Sequence, residues 1–245
     1  VSSTKSKRIR VRNSPLRAHT WKAVSVADRV RLNQHVFALD LFHAWAQLAV
    51  HVPLPSLVAL GDSIITAMAR QPSLAKGRDA VGIHRDFVAF ADGLSSFNGK
   101  TACMRAMALM MPNVDSPKES ECRLTLQCHG IPRPVVNYMV PGMSFKSGAP
   151  MSLDMAWPEY RVGIEYDGDQ HRTDKAQWRR DQEKRDRLRA RGWVVFAVTA
   201  SNFADDSARA DLAFSVARQL ALRGMEFGFR VVAMTVEQLA VLQGG

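Results

Sequence analysis

Val162-Gly163-Ile164-Glu165-Tyr166-Asp167-Gly168-Asp169-Gln170-His171 is the stretch on which the reading of the chain turns. Val162, Ile164 and Tyr166 alternate with Gly163, Glu165 and Asp167, the period of two of a strand with one apolar and one polar face. Glu165 and Asp167 are therefore expected on one side. Just upstream, Leu153-Asp154-Met155-Ala156-Trp157 alternates in the same way, with Asp154 on the face opposite Leu153 and Met155. The short Pro158-Glu159-Tyr160-Arg161 link predicts an antiparallel hairpin. Antiparallel neighbours lie roughly 4.5–5.5 Å apart, which would gather Asp154, Glu165 and Asp167 on one patch. Two carboxylates about 4 Å apart repel by roughly 4 kcal/mol at an effective dielectric of about 20. Protonation, a basic partner or a cation must relieve that repulsion. Three oxygen donors suit Mg²⁺ or Mn²⁺. On a solvated edge the same acids would only discourage strand-to-strand aggregation.

Downstream, Lys175 to Arg191 is helix-forming and highly charged, with Trp178, Gln182, Arg185 and Leu188 on one stripe and Gly192 as its stop. Trp193 to Thr199 reads as a buried strand, and Asp206 to Arg223 as an amphipathic helix. Upstream, Ser116-Pro117-Lys118-Glu119 is a helix start, with Ser as N-cap, Pro at N1 and Glu at N3 of a capping box. That helix should stop at Gly130-Ile131-Pro132, before a β-rich run from Pro134 to Val140. From 116 to 223 the expected order is helix, three strands, helix, strand, helix.

Ahead of Pro112–Pro117, the expected domain boundary, the pattern is helical. Val30, Val36, Leu39, Phe42, Ala46 and Ala49 predict a helix over 26–50, closed by Pro53. Further helices are expected over 57–69, 84–93 and 98–111, with Asp62, His43, His84 and Trp45 as structural residues. Three parts follow: a basic arm and helical region over 1–113, an α/β core over 114–224, and an apolar tail over 225–245 packed on that core.

A hydrophobic content of 47% over 245 residues supports a real core, and no apolar run is long enough to span a membrane. Cys103, Cys122 and Cys128 are sparse and unpaired in spacing, as in a reducing cytoplasm. Cys122, Cys128 and His129 share a predicted helix with no second ligand pair, which argues against zinc. The net charge of +10 is uneven: residues 1–31 carry nine basic side chains against Asp28, and residues 172–191 carry nine against four acids. Two such blocks beside carboxylates suit a phosphate-backbone binder, although a charge run is also how a solvated helix face looks.

The order of elements, Ser116-Pro117-Lys118-Glu119-Ser120, Gly130-Ile131-Pro132-Arg133-Pro134, Asp154, Glu165-Tyr166-Asp167-Gly168, His171, Asp181, Arg185 and Gly192-Trp193-Val194-Val195 together resemble the restriction-endonuclease-like PD-(D/E)XK fold. More narrowly, they resemble a bacterial domain-of-unknown-function family related to very-short-patch-repair (Vsr) endonucleases. The helical region is similar to the segment that, in actinobacterial members, follows a winged helix of the AbiEi antitoxin type. No winged helix is visible in this sequence, so the chain looks like a member lacking that domain or cut after it.

The resemblance implies an αβββαβα core with a mixed sheet and metal-dependent hydrolysis of DNA, with double-stranded DNA as the expected form. Asp154, Glu165 and Asp167 would be the metal ligands for Mg²⁺ or Mn²⁺, and these three with His171 and Glu119 the catalytic set. Lys175, Arg179, Arg180, Lys184 and Arg185 would bind nucleic acid, and Lys175, Lys184 and Arg185 would offset transition-state charge. The usual third motif residue is Lys, and Asp167 stands in its place, so a different helper is required. His171, with an ordinary pKa of about 6.5, fits general acid–base work and equally a turn-stabilising hydrogen bond. Asp181 and Arg185 also read as an intrahelical ion pair. The alternatives are a catalytically inactive nuclease-fold DNA-binding or antitoxin-like regulator, and a helical scaffold for a protein partner. A homodimer is compatible with all three readings.

Overall fold

The computed structural model describes residues 2–3, 19–20, 29–168 and 175–244, with only the backbone described for 2–3, 19–20 and 175–179. Strands β1 (Ser2–Ser3) and β2 (His19–Thr20) pair in parallel. Strands β3 (Arg29–Arg31) and β4 (Phe37–Leu39) then form an antiparallel hairpin. This replaces the first half of the helix expected over 26–50. Asn33 Oδ1 accepts the amides of His35 and Val36 and so holds a turn where a helix would have continued. Asp40 then starts α1 (Leu41–Leu48) by accepting the His43 amide. Pro53 does not close that helix; it precedes α2 (Leu54–Arg70).

The helices α2, α4 (Ala80–Gly93) and α5 (Lys100–Leu109) pack with α1 around Trp45, Leu57, Ile65, Ile83 and Phe87, and the short α3 (Pro72–Ala75) follows α2. Phe42 stacks on Phe87 at 4.1 Å between ring centroids. Next comes α6 (Pro117–Cys128), which starts at the expected Ser116 N-cap.

The rest is α/β. Strands β5 (Val135–Ser144), β6 (Pro150–Trp157) and β7 (Val162–Tyr166) are followed by α7 (Lys175–Ala190), β8 (Val194–Val198) and α8 (Asp206–Leu222). The sheet order is β5-β6-β7-β8, antiparallel up to β7 and parallel between β7 and β8, so the sheet is mixed. One face packs Met155, Trp157 and Ile164 against Cys122 and Leu126 of α6 and Val216 and Leu220 of α8. The other packs Met151, Leu153 and Ala156 against Leu188 of α7 and Trp193. Leu153 and Met155 enter different clusters although residues two apart on a flat strand share a face. The strand therefore twists at Asp154, and Asn137, which the register sets across from it, has a φ of +45°.

Helix α6 serves both cores. Leu124 and Cys128 face the helical cluster, whereas Cys122 and Leu126 face the sheet. Those opposed directions also separate the two cysteines that a zinc site would have needed to join. The tail links the same two cores: Met225, Phe227 and Phe229 lie on the sheet cluster, and Met234 on the helical one. It ends in a helix absent from the sequence reading, α9 (Val236–Gln243), which buries Leu239 and Ala240. Where the tail passes α6, Arg230 N–H donates to His129 O at 2.8 Å, and Met234 N–H to Cys128 O at 2.9 Å. Gly130 is required there, because a Cβ would stand 2.2 Å from Gly228 O at a φ of +85°. Val231 and Val232 do not pack on the core; they are 78% and 84% exposed. No helix among the described residues is long and apolar enough to cross a membrane.

Candidate active site

Strand pairing between β6 and β7 ends at Met155 with Ile164, and just beyond it the Asp154 charge acts on Glu165. Asp154 Oδ2 accepts the Tyr166 N–H at 2.7 Å, which fixes its carboxylate against the end of β7. Glu165 Oε1 meets Lys184 Nζ, which reaches in from α7. On the other flank, Glu119 sits in the first turn of α6 and is buried. Its carboxylate does not reach back to the Ser116 amide, as a capping box would have it. Glu119 Oε2 instead accepts the Asp115 N–H at 3.0 Å. The site thus lies at the carboxyl end of β7, between the start of α6 and the middle of α7.

Removing these acids from water raises their proton affinity. Burial pushes Glu119 up to about 7, and the neighbouring Asp154 charge adds to the effect. Glu165 is also pushed up to about 7, mainly by burial, against the opposing pull of Lys184. Asp154 is raised by burial, with the Tyr166 amide and Lys184 acting in the opposite direction. Among the described residues the acids here outnumber the one ammonium that meets them, an excess of negative charge that favours an added proton or cation.

Asp167 departs from the expected cluster. It lies one residue past the end of β7, exposed, and its N–H donates to Val198 O at 2.7 Å. Among the described residues no group of three or more His, Cys, Asp and Glu side chains is placed to hold a metal ion. His171 and the side chains of Lys175 and Arg179 lie outside the described residues.

The basic side chains of α7 divide by role. Lys184 turns inward onto Glu165. Arg185 is exposed and so leaves the stripe predicted with Leu188; Arg180 is exposed too, with its guanidinium 5.2 Å from the Phe145 ring centre. Arg187 donates to Ser144 O, and at the following turn Arg191 donates to Gly142 O at 3.0 Å, so both clamp β5. Lys184 and the buried Leu188 are four apart and share one side of the helix, a spacing that could have shown Lys184 to face the sheet.

No family model matches the chain, and no solved structure matches it. Two curated Mycobacterium tuberculosis relatives do: uncharacterized protein MT2308 of strain CDC 1551 / Oshkosh and uncharacterized protein Rv2248 of strain ATCC 25618 / H37Rv. Each is 27% identical over 203 residues, covering 83% of this chain. The chain spans 60% of the length of these relatives.

Proposed function

We propose that the protein is a divalent-metal-dependent nuclease that hydrolyses DNA phosphodiester bonds, on a restriction-endonuclease-like core related to very-short-patch-repair endonucleases. One observation carries the reading: Lys184 stands on Glu165 beside Asp154. Two carboxylates from adjoining strands and an ammonium from the next helix supply the acid, acid and lysine set that Asp167 leaves incomplete.

The donor chemistry fits Mg²⁺ or Mn²⁺. Mg²⁺ is commonly held by one or two carboxylates, with water and substrate phosphate filling its other positions, so two acids suffice. Asp154 and Glu165 would hold the ion, which when bound polarises the scissile phosphate and lowers the pKa of the attacking water. Lys184 favours ionised Glu165 and offers a point charge toward negative charge developing on the phosphate. Glu119, pushed up to about 7, is suited to holding or releasing a proton near neutral pH. Arg180 and Arg185 are exposed and available to backbone phosphates.

A second reading, an inactive nuclease-fold DNA-binding or antitoxin-like regulator, is favoured by the ion pair itself, because Lys184 already offsets the Glu165 charge. Incubating the full chain with duplex DNA, with Mg²⁺ or Mn²⁺ and with a chelator, separates the two. A nuclease gives product only with the metal, and loses it in Asp154→Ala while the melting temperature holds. Salt-sensitive binding without product in any condition supports the regulator.

A further inference from the structure

Helix α2 contributes no acid to the site, yet it holds the turn before α6 at successive points. Asp62 is fully buried: its Oδ1 accepts the Met111 N–H at 2.8 Å, and its Oδ2 accepts Ser120 Oγ–H at 2.7 Å and Arg123 Nη2–H at 2.8 Å. One turn on, Thr66 Oγ1 donates to Val114 O at 2.7 Å. One turn further, Arg70 Nη2 donates to Asp115 Oδ1 at 2.8 Å. Spaced by four, these side chains form one stripe along α2. Asp115 passes the constraint on, since its own N–H is the donor to Glu119 Oε2.

We propose that the Asp62-Thr66-Arg70 stripe is the positioning device of the site: it fixes the 111–115 turn and thereby sets Glu119 against Asp154. The inference rests on the nuclease reading and gives the helical half a part in it. The physical need is local. The Glu119 carboxylate is held from two sides, by the Ser116 hydroxyl at the cap and by the Asp115 amide, and the second of these belongs to the turn. That turn contains Pro112 and, in a left-handed conformation at φ +66°, Asn113, so its geometry depends on what braces it.

Thr66→Val keeps the shape and deletes the hydroxyl, and Thr66→Ser restores it. In the full chain, Thr66→Val should speed hydrogen exchange at the Asp115 amide about tenfold, and Thr66→Ser should return it to the wild-type rate. With Mn²⁺ and duplex DNA, kcat should fall about tenfold in Thr66→Val with KM unchanged, as for a misplaced site group. Added to Glu119→Gln, Thr66→Val should cause no further loss, because both act through one side chain. Unchanged Asp115 exchange, or a full additional loss in the Glu119→Gln background, overturns the proposal. Should the wild-type chain cut no DNA, the nuclease reading fails, while the exchange measurement still decides whether α2 fixes the turn that aims Glu119.

Discussion

Glu119 and Glu165 are costly to keep charged where they stand, and that cost has a sign. Glu119 is raised from 4.5 to about 7, so between those values the folded chain retains a proton that the unfolded chain has released. The stability from this retention is complete below about pH 4.5 and is lost as the pH rises through about 7. Glu119→Gln removes the penalty. The metal-free variant should melt above wild type at about pH 8 by a few degrees, and the two should converge at about pH 4. An equal or lower melting temperature at the higher pH would contradict the burial argument. For Lys184→Met the expectation is the reverse: Glu165 loses its partner, metal-dependent cleavage falls by about a hundredfold or more, and a modified titration of Glu165 accompanies it. Wild-type rates in that variant would remove Lys184 from the mechanism. The face of Glu165 was legible in the sequence because alternation holds from Val162 to Tyr166, whereas that of Asp154 was not, because Leu153 and Met155 turn to different clusters. Nor was that of Asp167, because β7 ends at Tyr166 and the alternation stops with it.

Helix α7 shows how the same residue type takes different work along one element. Arg187 and Arg191 are engaged by β5 carbonyls, so they brace the hairpin, whereas Arg180 and Arg185 are exposed. Removing the latter pair, Arg180→Ala with Arg185→Ala, should weaken duplex binding and lower the slope of log affinity against log salt by about 1 for each phosphate no longer neutralised. Unchanged salt dependence would move the nucleic-acid surface elsewhere. Strong composition made α7 and α8 readable, and the Ser116 cap made α6 readable. The β3–β4 hairpin was hidden because Val30, Val36 and Leu39 happen to recur at helical spacing, whereas the side-chain turn of Asn33 decides the local structure.

At the scale of the molecule, the helical and sheet clusters share α6 and are crossed by one tail. Proline and asparagine over 112–117 look like a boundary in sequence, and they do end the helical run. The ties across it come from residues 61 apart, Asp62 and Arg123, a buried ion pair that no local pattern announces. Asp62→Ala should therefore destabilise the whole chain by roughly 3–5 kcal/mol, since it leaves Arg123 buried without its acid. Probes in both halves should report one transition; a helical half that melts while the sheet half stays folded would contradict the shared-helix account. Whether Asp154 and Glu165 together hold a cation is decided by a crystal grown with Mn²⁺. Anomalous scattering should come from an ion bound by both the Asp154 and Glu165 carboxylates; Lys184 still paired to Glu165, with no ion at the two acids, would rule out the metal site.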